Sequence, residues 1–343
     1  MGALQNENGC VDATHGRTSP KLARFVLWIL FSSGCISPAI AQDYPTRSVT
    51  LVVPIGAGGP LDTTARLLAT KLADSMGKPF VVENRPGGST IVGTMAVAKA
   101  EADGHTLLVA PNGTLTTNVA IFRKLSYDPL KDFVPIALVA RVPFVLVTGS
   151  ALPVKQLSQL VAEAKNKPGE LTFASTGIGT APHLAGEMLK SMAGIKMTHV
   201  PYRGLSAVLT DVLGGQIHMA FVDLANAMPL LASGKLQAVG VSSKRRLEYL
   251  PDVPTLSEIG LDGFEAVAWN MVLAPASTPP AVTEKLHSAI VATMSQSDFQ
   301  ARMRVLGLVA DPSPPIPELR NFIASEIAQW GSAARLAGLE GSE

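Results

Sequence analysis

The sequence predicts an α/β protein made of two Rossmann-like domains joined by two crossover strands. Three observations predict it. Short apolar, β-branched runs alternate with helical patterns along the whole chain after Gln42. The runs are continuously apolar, as strands covered by helices on both faces are. Two β-prone stretches, 133–148 and 263–274, are long enough to leave one sheet and enter another.

Taken in order, the expected strands cover 49–54, 80–83, 106–110, 134–140, 144–148, 171–174, 197–200, 218–222, 236–241 and 267–274. Glycines such as Gly77, Gly169, Gly194, Gly215 and Gly234 close the intervening helical patterns, where a left-handed C-cap is needed before the next strand. The helix expected from Asp62 carries Ala65, Leu68, Leu72 and Met76 as its buried stripe, with Arg66, Thr70 and Asp74 on the polar side. The last helix, over 317–337, sets Leu319, Ile323, Ile327, Trp330 and Ala334 on one face, which makes Trp330 a core residue. The two long stretches divide the chain into a discontinuous first lobe, 42–143 and 265–343, and an inserted second lobe, 144–264. No Gly/Ser linker separates them, so a hinge has to lie within the crossovers.

The first 41 residues read as a cleavable signal peptide. Arg17, Lys21 and Arg24 precede the apolar run Phe25–Phe31, and Ala39-Ile-Ala41 supplies small residues at a cleavage site. The run is too short for a bilayer, which needs about 20 residues. A lipoprotein signal at Cys35 is the weaker alternative, because the usual leucine three positions before it is absent. Cleavage after Ala41 removes both cysteines, Cys10 and Cys35, and with them disulfides, thiolate nucleophiles and cysteine metal sites. It leaves 25 basic and 25 acidic residues, a neutral exported chain with no global field for nucleic acid or an anionic membrane.

Strand, glycine loop and helix start recur twice. In Ile55-Gly-Ala-Gly-Gly-Pro-Leu-Asp62 a P-loop fails for want of Gly-Lys-Ser/Thr, and a dinucleotide fingerprint fails because position 61 is Leu. Glycines that admit close approach and free N–H groups at a helix start remain, which suit a small anion. Ile55, Ala57, Gly58 and Gly59 are the candidate contacts, with Asp62 as N-cap. In Ser175-Thr-Gly-Ile-Gly-Thr-Ala-Pro-His183 the plan repeats, with Ser175, Thr176, Gly179 and Thr180 as candidates. His183 stands in the first turn that follows, either lining a cleft or packing. Asp223, at a strand end, either meets the ligand or caps the next helix. One such loop per lobe, beyond the carboxyl ends of the strands, describes a clamp.

Catalytic patterns are missing. There is no Gly-x-Ser-x-Gly elbow, and Ser75-Met-Gly-Lys78 matches Ser-x-x-Lys without its companion motifs. The histidines after the leader, 105, 183, 199, 218 and 287, show no metal-binding spacing, and His199 and His218 read as structural. Nothing calls for a cofactor. An exported hydrolase on a related scaffold is the competing class, and it lacks a nucleophile–base pair.

The motifs Val53-Pro-Ile-Gly-Ala-Gly-Gly-Pro-Leu-Asp-Thr-Thr-Ala-Arg66, Val82-Glu-Asn-Arg-Pro-Gly-Gly88, His199-Val-Pro-Tyr-Arg-Gly204, Leu213-Gly-Gly-Gln216 and Pro251-Asp-Val-Pro-Thr255 resemble the Bug-type extracytoplasmic solute receptors. These are the substrate-binding proteins of tripartite tricarboxylate transporters. The resemblance runs through Ala274-Pro-Ala-Ser-Thr-Pro279 to the last helix. It implies a monomeric, type II-like periplasmic binding protein that closes on a small carboxylate and serves transporter membrane subunits. A ligand sensor feeding a signalling partner is the alternative role. The implied holding elements are 55–62 and 175–183, with Asn84 and Asn112 at strand ends for the far end of the ligand. Ile55 departs from the family, where an aromatic is common, so the ligand's identity does not carry over.

Overall fold

The computed structural model describes residue 9 and residues 44–152 and 154–343. Apart from Gly9, the expected leader and its cleavage site lie outside the described residues. All ten expected strands form, in two five-stranded sheets. The first sheet holds β1 (Val49–Val53), β2 (Phe80–Asn84), β3 (Thr106–Pro111), β4 (Phe133–Val142) and β10 (Ala268–Pro275), in the order β2-β1-β3-β10-β4. The second holds β5 (Phe144–Thr148), β6 (Thr172–Ser175), β7 (Thr198–Pro201), β8 (Met219–Asp223) and β9 (Gln237–Val241), in the order β7-β6-β8-β5-β9.

The sheets are mixed. β10 runs antiparallel to β3 and β4, and β5 runs antiparallel to β8 and β9. Connectivity explains this. β4 leaves the first sheet at Val142, Pro143 turns the chain, and β5 begins at Phe144, paired with Asp223 at the carboxyl end of β8. A strand that enters at the carboxyl edge of a sheet must run against its neighbours. The return is tied to the same place, because Ser242 just after β9 bonds the backbone of Phe144 and its carbonyl accepts the Ala266 N–H (2.9 Å). β10 then enters the first sheet with Ala268 opposite Val142. The carboxyl ends of both sheets therefore share the crossover.

Helices cover the faces. α1 (Pro60–Met76) and α2 (Ile91–Ala98) follow β1 and β2, and the short α3 (Asn112–Leu115) and α4 (Thr117–Ile121) follow β3. The second lobe carries α5 (Leu157–Asn166), α6 (Ala181–Ala193), α7 (Leu205–Leu213) and α8 (Leu224–Ala232). α9 (Pro280–Met294), α10 (Ser297–Val305) and α11 (Ile316–Leu336) close the chain. Alternation along β5 feeds both faces of its sheet: Phe144 and Leu146 join one core, Val145 and Val147 the other.

The C-terminal helix α11 does not keep to the first lobe. Leu319 and Ile323 pack with Trp269 and Met271, while Trp330, Ala333 and Ala334 pack with Leu184, Leu189 and Phe221. Where the helix passes from one core to the other, Glu326 accepts hydrogen bonds from the indole N–H of Trp269 (2.6 Å) and of Trp330 (2.9 Å). Burial pushes the Glu326 carboxyl above its ordinary value, against the lowering effect of the two indoles.

Candidate functional site

The first loop, between β1 and α1, sits at the carboxyl edge beside Asn84, the residue paired with Val53. The helix starts two residues before Asp62. Pro60 occupies its first turn and Gly59 is the N-cap, because a fixed φ and a missing N–H suit proline there. Asp62 is the third helical residue, and its carboxylate reaches back to the N–H of Gly58 (2.9 Å), whose φ of 89° needs glycine. The same carboxylate takes Arg66 Nε (3.0 Å) and Asn84 Nδ2 (2.9 Å), and Asn84 also donates to Ile55 O (3.2 Å). Burial alone would raise the Asp62 pKa. The hydrogen bonds from Arg66, Gly58 and Asn84 outweigh it and hold the group below the ordinary carboxylate value. The space over Gly56, Gly58 and Gly59 is open, with no atom within 4 Å of a Cβ built there.

The second loop, between β6 and α6, is braced by rings. Ser175 Oγ takes the Gly177 N–H (3.2 Å) and lies 2.7 Å from His199 Nε2. Gly179, with φ of 75°, donates its N–H to His183 Nδ1 (3.1 Å), four residues on. Thr180 is the N-cap, and its hydroxyl bonds Gly177 O (2.7 Å). The His183 ring stacks on His199 at 3.8 Å between centroids, and His199 in turn lies on Phe173 at 4.9 Å. Burial lowers the pKa of His183 to about 4, with His199 and Lys190 pushing the same way. His199 falls to about 4 as well, chiefly by burial. Both rings are neutral at pH 7.

Most of the residues singled out from the sequence thus have their polar atoms engaged by the protein. Asp62, Asn84, Ser175 and His183 brace the loops, and Asp223 caps α8 by accepting the Asn226 N–H (3.1 Å). His218, read as structural, accepts the Thr172 N–H (3.1 Å). The groups left over are of another kind. Among the described residues, the N–H groups of Ala57, Gly59, Leu61 and Asp62 in the first element have no protein acceptor. The same holds for Thr176, Ala181 and His183 in the second. Asn112, which follows β3, is buried, yet its side-chain amide bonds no protein group among the described residues.

Asn270 was not singled out, and it belongs with Asn112. It is buried, it pairs with Pro111 in the sheet, and its side-chain amide also has no partner among the described residues. One polar residue inside the run Val267-Ala-Trp-Asn-Met-Val-Leu-Ala274 was the available signal. Ser89 and Thr90, in the loop after β2, hold φ of 50° and 78°; for a β-branched residue that is strained backbone at the same edge. A cavity of about 680 Å³ beside the crossover, bounded by Arg141, Lys244, Phe322 and Glu326, includes neither loop. Among the described residues no cluster of metal-ligating side chains occurs and no helix is long and apolar enough to cross a membrane.

Comparison with known proteins gives these edges a context. The model of the family described as "Tripartite tricarboxylate transporter family receptor" matches residues 64–339. Protein BugT of Bordetella pertussis is 34% identical over 312 residues, covering 90% of this chain and 94% of that protein. The structure of Rpa4515 of R. palustris with adipate has 34% identity and a TM-score of 0.73, over 86% of this chain and 98% of that one. MatC of Rhodopseudomonas palustris with bound malate has 35% identity and a TM-score of 0.70, over 84% of this chain and 99% of that one. The two-lobed fold of periplasmic binding proteins is common to them.

Proposed function

The chain belongs to the tripartite tricarboxylate transporter receptor family, and from that premise we propose that it takes a small organic carboxylate between its two lobes and delivers it to the membrane subunits of such a transporter. Receptors of this family are periplasmic solute-binding proteins. One observation supports the ligand class above the others. Each sheet ends, on the crossover side, in a glycine loop and a helix start that leave several N–H groups unclaimed among the described residues, with no lysine or arginine inside either loop. Such a helix end favours an anion by about 0.3–1 kcal/mol, more where water is excluded.

In this reading the backbone of 56–62 and of 176–183 takes the carboxylate. Asp62, Asn84, Ser175 and His183 hold those backbones, and Asp223 holds α8. Asn112 and Asn270 meet the far end of the ligand with neutral amides. Adipate and malate, bound by two neighbours, point to a short-chain dicarboxylate. The lobes divide at Pro143 and within 242–266, with α11 shared. The leader is cleaved after Ala41, the receptor works as a monomer, and it releases its ligand unchanged.

The test is a thermal-shift screen of the mature protein against organic acids, followed by calorimetry. A binder at 100 times its Kd adds about 2.7 kcal/mol of stability. A shift with dicarboxylates and none with neutral or cationic analogues is expected. Silence across the panel in ligand-free protein sinks the proposal.

A further inference from the structure

The two glycine loops share a device. In each, a glycine of positive φ donates its N–H to the side chain four residues on, at the third position of the helix that follows: Gly58 to Asp62, and Gly179 to His183. The acceptors differ in charge. Asp62 is an anion at a helix start, and its charge is met by Arg66 and by the amide of Asn84. In the second loop the acceptor is an imidazole only 4% exposed, stacked on a second imidazole. The nearest cation on its helix, Lys190, is held by Glu187 through both carboxylate oxygens (2.8 and 2.7 Å).

An N–H directed at Nδ1 requires that nitrogen to be unprotonated. Glu187 Oε1, 3.8 Å from Nε2, lies on the side where the remaining ring proton belongs. The neighbouring ring has its own duty, since His199 Nε2 sits against Ser175 Oγ at the entry to the same loop. Loop entry and loop exit are thus both fixed by uncharged rings.

We infer that His183 is a positioning residue whose neutrality is what the site uses: it fixes Gly179 as a carboxylate side chain would, without setting a negative charge beneath the amides that receive the ligand. The second loop is therefore the one whose helix field is left whole for an external anion, whereas in the first loop Asp62 already occupies it. This rests on the carboxylate-receptor reading. The low pKa of the ring agrees with it.

The experiment uses the mature protein with malate and adipate as probes. Affinity by calorimetry and Tm are measured for wild type, His183→Asn and His183→Asp. Asparagine keeps a neutral acceptor near the position of Nδ1, and aspartate keeps an acceptor but brings charge. The Asn variant should bind within about threefold of wild type. The Asp variant should lose about tenfold or more, the size a unit charge a few ångströms away produces in a partly shielded site. Equal affinities for the two variants, or equal losses, overturn the inference. Nitrogen NMR of wild type needs no variant to fold: an unprotonated Nδ1 on His183 at pH 7 is expected, and a protonated one overturns the inference. Wild type that binds no carboxylate sinks the receptor reading itself, a result distinct from wild-type binding with indifferent variants.

Discussion

The two glycine loops have the same backbone plan and opposite surroundings. The first lies in open space, and its brace is a web of charge: Asp62, Arg66 and Asn84 joined by bonds of 2.9–3.0 Å. The second is backed by Phe173, His199 and His183, three stacked rings with no net charge among them. A turn that needs one acceptor for one glycine N–H can find it in a carboxylate or in an imidazole. The choice decides whether the helix end still has a field to offer.

The largest expected effect breaks both loops' shared function. Gly59 has ordinary φ and no atom near a Cβ, so Gly59→Glu is sterically free. It should leave Tm within about 2 °C of wild type and cost at least about a hundredfold in carboxylate affinity by calorimetry, since its own carboxylate competes for the amides. Unchanged affinity would mean that the first loop does not hold the ligand.

Next comes a change that strikes only the ring-backed loop. A Cβ on Gly186 of α6 would fall 2.1 Å from Phe173 Cε2, the ring beneath the stack. Gly186→Ala should destabilise by about 1–3 kcal/mol in urea melts, whereas Gly56→Ala, in open space, should cost under about 1 kcal/mol. Equal costs would erase the contrast between a packed loop and an open one.

Acid sharpens it further. His183 and His199 have pKa values lowered from 6.5 to about 4, facing Lys190, Glu187 and each other. The unfolded chain therefore takes up these protons first. Stability is full above about pH 6.5 and falls as the pH drops toward 4. Asp62, lowered from 3.8, adds its loss only below that window. Chemical melts from pH 7 to 4 should show this slope, and His183→Asn should flatten it; an unaltered slope would assign it elsewhere.

The smallest effect is at the first loop. Asp62→Asn should cost about 1–2 kcal/mol of stability through the lost ion pair and weakened bonds, while carboxylate affinity holds or rises up to about threefold. A fall of tenfold would show that the charge of Asp62 serves binding directly.

Much of this was legible in the sequence. The ten strands, the glycine loops, the C-cap at Gly77 and the burial of Trp330 follow from apolar periodicity and from the limited uses of glycine. The commitment of polar atoms was not legible. A histidine or aspartate in a first helical turn announces an acceptor, but only the folded chain shows that Gly179 and Gly58 have already filled it. Asn270 was hidden because its neighbours are apolar and the run read as a crossover. The single antiparallel strand in each sheet follows from where the chain crosses, a fact of topology that no local pattern carries. The same is true of α11, whose one apolar stripe gives no sign that two cores divide it.

That division has a practical consequence. The chain has three tryptophans, and the cleavage proposed after Ala41 would remove one of them, Trp28. The mature receptor is therefore left with Trp269 and Trp330, two indoles that share the carboxylate of Glu326 at the point where α11 changes cores. Tryptophan emission from the unlabelled mature protein, excited on the red edge where tyrosine does not absorb, comes from that junction. A stopped-flow trace of intrinsic fluorescence would then time the movement of one lobe against the other at each capture and release, with no dye attached.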